Sequence, residues 1–105
     1  MYKLARTLPD FEKFALGTQI RRAVSSVTAN IAEGFGRFSY QENAQFCRHA
    51  RGSLFELRDH LTTCTGQNYI DLKESRRLDT MAQRVAQILN GYLRSTLALK
   101  TVAGC

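Results

Sequence analysis

Through most of this chain, apolar residues recur at alternating steps of three and four. Ile20, Val24, Val27, Ile31 and Phe35 form one such stripe, and Phe46, Ala50, Leu54, Leu57, Leu61 and Cys64 form a second. Leu78, Met81, Val85, Ile88, Leu89, Tyr92 and Leu99 form a third. At about 100° per residue each set lies along one side of a helix, the pattern that antiparallel bundle helices need. No run alternates with period two for long enough to make a strand. One proline and seven glycines in 105 residues leave few obligatory breaks, which favours long helices over many short strands.

The breaks that do occur carry capping chemistry. Leu8-Pro9-Asp10 reads as a turn with an N-cap acid. Ser39-Tyr40-Gln41-Glu42 fits the capping box, in which a hydroxyl and a carboxylate satisfy orphan amides reciprocally. Asp71 and Glu74 repeat that spacing with two acids. Gly36 and Gly66 stand where helices end, and glycine takes a positive φ cheaply. Tyr2, Leu4, Ala5 and Leu8 supply a short amphipathic start that is stable only if docked. The expected fold is all-α: a single domain over residues 1–105, an antiparallel up-and-down four-helix bundle with a truncated first helix.

Several function classes lose ground. No stretch approaches the roughly 18 apolar residues of a membrane span, and the cation at Lys3 has no apolar run behind it that would make a secretory signal. A cytoplasmic location and no membrane partner are expected. Cys47, Cys64 and Cys105 are odd in number and contain no C-x-x-C pair, which argues against a disulfide framework or a zinc knuckle. His49 and His60 project alike from one helix but about 16 Å apart along it, too far to share a metal. No paired carboxylates with a histidine beside them, no metalloprotease helix and no nucleophile motif appear. Neither catalysis, a metal nor a cofactor is expected.

Charge points elsewhere. Fifteen Lys and Arg against nine Asp and Glu give +6, and eleven of the cations are arginine, the side chain suited to bidentate phosphate or carboxylate contact. That balance suits RNA, DNA or an acidic protein partner. On the second long segment of helical pattern, Arg48, Arg51, Phe55 and Arg58 fall within about a quarter turn, away from the apolar stripe. The ring could stack a base while the guanidinium groups hold phosphates, anchor a subunit contact, or be an isolated exposed Phe. On the first long segment the side opposite the stripe is small: Ser25, Ser26, Ala29, Ala32 and Gly36, with Arg22, Glu33 and Arg37 among them. It suits close approach of another helix. The bland alternative for Glu33 and Arg37 is a local surface ion pair.

The run Gln19–Arg37, QIRRAVSSVTANIAEGFGR, strongly resembles the bacterial four helix bundle protein family, whose founding members are encoded in intervening sequences of 23S ribosomal RNA genes. Ser39, Glu42, Phe46, the segment Ala50-Arg51-Gly52-Ser53-Leu54-Phe55-Glu56-Leu57 and the closing Leu89–Ser95 extend the likeness over nearly the whole chain. The resemblance implies an antiparallel bundle assembling as a homopentamer. It extends to accessory proteins of diversity-generating retroelements, which are thought to bind nucleic acid and a reverse transcriptase through a basic surface. The family motif picks out Arg21, Arg22, Asn30, Glu33, Arg37, Ser53 and Glu56 as a subunit interface or polar network. Two departures stand out: Thr28 replaces a usual proline, which predicts a straighter helix, and the first helix is shorter than in relatives. The chain is thus expected to be a noncatalytic homo-oligomer binding RNA or other nucleic acid through arginine-rich surfaces. The alternative is a protein-interaction scaffold whose arginines serve subunit or partner interfaces.

Overall fold

A computed structural model describes the backbone of residues 1–36 and 39–103, with side chains for residues 1–36 and 39–96. Its helices are α1 (Tyr2–Thr7), α2 (Asp10–Lys13), α3 (Leu16–Phe35), α4 (Tyr40–Gly66) and α5 (Leu72–Ala103). No strand occurs among the described residues. The fold is the all-α bundle that the stripes predict, and α1, at six residues, is its short first helix. The turn α2 is not announced by the pattern. Pro9 accepts the Glu12 and Lys13 amides on its carbonyl at 2.9 and 3.2 Å. Asp10 therefore starts the helical turn and does not cap it.

The long helices begin as their capping residues require. Ser39 Oγ accepts from the Glu42 amide at 3.4 Å, and Asp71 Oδ1 accepts from the Glu74 amide at 2.7 Å. Their ends differ from expectation. Gly36 sits at φ −80°, an ordinary right-handed value, so its freedom is not used. After α4 the left-handed residue is Asn68, at φ 61°, and not Gly66. The Asn68 amide donates to the Thr65 carbonyl at 3.1 Å and the Tyr69 amide to the Cys64 carbonyl at 2.8 Å. These paired bonds form a Schellman cap, with asparagine, the most tolerant non-glycine residue there, at its αL position. The α3 helix runs unbroken through Thr28, whose hydroxyl donates to the Val24 carbonyl at 3.3 Å. With no ring at this position, the helix keeps its ladder.

The α4 helix is the spine. Its buried side carries Ala44, Cys47, Ala50, Leu54, Leu57, Leu61 and Cys64. Both α3 and α5 pack along it, while the backbones of α3 and α5 stay apart and the two helices meet through side chains, with Val27 and Leu89 in one cluster and the Phe35 ring against Tyr92. At one end α1 fills the space between them: Leu4, Ala5 and Leu8 join Leu16, Ile20, Leu57, Leu61, Cys64 and Leu78 in one cluster. The Tyr2 hydroxyl and Ser25 Oγ, 2.8 Å apart, fix its outer end. Past Tyr2 the channel between α3 and α5 is open. Val24, Thr28, Ile31 and Phe35 face Met81, Val85, Ile88 and Tyr92 across pockets of about 220 and 180 Å³. The molecule is correspondingly thin, 52 × 24 × 16 Å.

That open channel explains where the predicted stripes depart from the core. Ile20 and Val27 are buried, as are Leu78 and Leu89, because they turn toward α4 and α1. Phe35, Met81 and Ile88, predicted on the same stripes, are 69, 55 and 61% exposed. They belong to the edge of each stripe, beyond the reach of the six-residue α1. Their place against α4 is taken by Ala23, Ala82, Leu93 and Thr96. Leu99 lies outside the residues whose side chains are described.

Candidate nucleic-acid interface

The α4 helix presents its basic flank beside α5, and the helical hairpin decides how free each arginine is. Arg48 is exposed. Arg51 is half-buried and donates from Nη1 to Asn90 Oδ1 at 3.0 Å. Arg58 donates from Nε and Nη2 to the two carboxylate oxygens of Asp79, at 2.8 and 3.4 Å. Gln83 Nε2 adds a third bond to that carboxylate at 3.0 Å. Phe55 stands between the two committed arginines with more than half its surface in solvent. The cluster read from the sequence is therefore split: Arg51 and Arg58 bind α5, and Arg48 remains outward.

Below Phe55 the flank opens into a groove of about 710 Å³ between α4 and α5. Asp59 and Thr62 come from α4, and Ser75, Arg76 and Asp79 from α5. Thr65 Oγ1 and Ser75 Oγ are 2.7 Å apart and join the two walls. Arg76 is exposed at the rim. The neighbouring Arg77 is paired with Glu74, at 2.6 and 2.9 Å. That hydrogen bond holds the Glu74 carboxyl below its usual range, so the contact is present above the ordinary carboxylate pKa and is lost as pH falls through the lowered one.

The residues singled out by the family motif gather in part. Asn30 Nδ2 donates to the Ser26 carbonyl at 2.8 Å and to Ser26 Oγ at 3.1 Å. Ser26 Oγ lies 2.7 Å from Ser53 Oγ, which in turn donates to the His49 carbonyl at 3.2 Å. Asn30 and Ser53 thus share a polar seam between α3 and α4, with Ser26 as the link. Ser26 was expected on the outward small side; it faces α4. The Arg21 guanidinium donates to the Lys13 carbonyl at 3.3 Å and to Thr18 Oγ1 at 3.4 Å, and ties α2 to α3. Arg22 is exposed beside an open groove floored by Ser25 and Ala29. Glu56 meets His60 Nε2 on its own helix at 3.3 Å. Glu33 is exposed, and Arg37 lies outside the described residues.

Cys47 and Cys64 are free and buried. Burial raises both thiols above the usual cysteine range, because a desolvated thiolate is penalised. Native protein treated with iodoacetamide near neutral pH is expected to leave both unmodified, and urea to expose them. Peptide mass spectrometry reads the outcome. Rapid labelling of Cys64 in native protein would mean that α1 undocks readily.

Among the described residues, no three His, Cys, Asp or Glu side chains gather where a metal could be held, and no helix is long and apolar enough to cross a membrane. Fold and flank together define a small, basic helical-bundle protein. The family model described as 23S rRNA-intervening sequence protein matches residues 1–91, and the chain belongs to that family. Comparison with curated proteins gives no match.

Proposed function

We propose that this chain is a noncatalytic, cytoplasmic, self-associating helical module that engages RNA through the α4/α5 flank. The carrying observation is that the exposed aromatic Phe55 shares a groove with the outward Arg76 of α5 and has the outward Arg48 about two helical turns before it on α4, in a chain of net charge +6. Such a field draws a polyanion to the surface before any specific contact forms. Self-association is supported by the apolar channel between α3 and α5, where large side chains stay in contact with water in the single chain. The resemblance implies a pentamer.

Filter binding of structured RNA at two salt concentrations tests the RNA reading. Binding is expected at low salt and to weaken steeply as salt rises, as counterion release requires. Replacing Arg48 and Arg76 with glutamine is expected to reduce both the affinity and the salt slope. Absence of binding at low salt, or affinity indifferent to salt, argues for the second reading, a protein-interaction scaffold. That reading is favoured by a specific observation: Phe35, Met81 and Ile88 stand exposed along one apolar channel that a partner chain could cover, whereas Arg51 and Arg58 are bonded to Asn90 and Asp79 of the same chain and serve neither reading directly. Light scattering settles assembly, and a monomer at all concentrations would remove self-association from both.

A further inference from the structure

The charge layout of the α4/α5 groove carries a choice of ligand within the RNA reading, on which this inference rests. A surface built to grip a duplex presents cations along a rail and keeps carboxylates away from it. This groove has the opposite layout. Its interior holds Asp59, together with Asp79, whose charge Arg58 already answers at 2.8 Å. On this flank Arg51, one turn before Phe55, has the neutral Asn90 as its partner, and no carboxylate is paired with Arg76 or Arg48 among the described residues; these cations stand at the margins of the groove. Arg76 stands on the α5 rim, and Arg48 lies seven positions before Phe55 on α4, two helical turns or about 10 Å along the axis.

A phosphate is repelled from the interior of such a groove and drawn to its ends. A base is not repelled. Its exocyclic amine or imino N–H can donate to the Asp59 carboxylate, and its flat face can lie on Phe55, which is 56% exposed. The groove volume of about 710 Å³ is within the range that small ligands occupy. In a duplex both the face and the Watson–Crick edge are already engaged, by stacking and by pairing. Only an unpaired nucleotide offers both at once.

We propose that this groove takes one unpaired base against Phe55 and Asp59, with phosphates of the neighbouring nucleotides on Arg48 and Arg76 toward its two ends. The nucleic-acid ligand is accordingly single-stranded or looped, and not a regular duplex.

Fluorescence anisotropy with a labelled unstructured RNA strand and a blunt duplex of equal length tests this. The wild-type chain is expected to prefer the single strand at equal salt. Phe55→Leu keeps the bulk and removes the aromatic face. It is expected to weaken single-strand binding by about 5- to 150-fold, the worth of one stacked base, and to leave duplex binding as it was. Circular dichroism checks that the variant is folded, which the exposure of Phe55 favours. Equal binding of strand and duplex, or a Phe55→Leu variant that binds the strand like wild type, overturns the base site. The RNA reading survives that result provided that Arg48→Gln with Arg76→Gln still loses affinity. Failure of the wild-type chain to bind either RNA removes both.

Discussion

Ile20→Ala is expected to lower the unfolding free energy by about 2–5 kcal/mol, the usual result of truncating a buried isoleucine. Ile20 is 1% exposed and sits where three helices meet, in the cluster that joins Leu4 and Leu8 of the N-terminal segment to Leu57, Leu61 and Cys64. A cavity there has walls on several elements and cannot close by moving one of them. Small domains have roughly 5–15 kcal/mol in total, so the loss is a large share, and α1 is expected to be the first element to fray. Phe35→Ala, on the open channel, removes a larger side chain. It is nonetheless expected to cost only about 1 kcal/mol, mostly from the tilted ring contact with Tyr92, whose centroid is 5.5 Å away. Urea unfolding followed by far-ultraviolet circular dichroism measures both. If Phe35→Ala proves as damaging as Ile20→Ala, the channel is covered in solution by another chain. The midpoint must then also rise with protein concentration.

The contrast between these two residues shows how far the sequence could be read. Periodicity locates the helices because burial on one side imposes the spacing. It does not say how wide the buried arc is. Ile20 and Phe35 belong to one stripe, yet one faces two neighbours and the other an open channel, since the helix that would narrow the channel is only six residues long. Capping signals at Ser39 and Asp71 were legible because they are local chemistry. The Asn68 cap was hidden by a nearby glycine that the turn leaves right-handed.

At the site, the sequence placed Arg48, Arg51, Phe55 and Arg58 on one flank, which is intrahelical arithmetic. It did not reveal that Arg51 and Arg58 are claimed by Asn90 and Asp79, because those contacts depend on the register between α4 and α5. A signal existed. Arg51–Asn90, Arg58–Asp79 and Thr65–Ser75 each straddle the turn at residues 66–71 almost symmetrically, as partners in an antiparallel helical hairpin must. Folding the sequence about that turn would have paired them.

Gly34→Ala sets two opposed effects against each other at the crossing of α3 and α4. Within a helix, alanine is favoured over glycine by about 0.5–1 kcal/mol. Here an added Cβ would lie 2.8 Å from Asn43 Oδ1 and 3.3 Å from Phe46 Cβ. The Phe46 atom is fixed to its backbone, so Asn43 is the group that must turn away. Doing so breaks the bond from Asn43 Nδ2 to the Tyr92 hydroxyl, now 2.7 Å, which ties α4 to α5. Overpacking of this kind costs about 1–3 kcal/mol, and the lost hydrogen bond about 1 kcal/mol more. The net expectation is destabilisation by about 1–3 kcal/mol. A double-mutant cycle separates the terms. In an Asn43→Ala background the clash with Oδ1 is gone and the bond to Tyr92 is already absent. Gly34→Ala should then be close to neutral, or stabilising through helix propensity alone. An equal penalty in both backgrounds would place the obstruction in Phe46 and the α4 backbone, and would make the glycine a requirement of how closely the two helices approach.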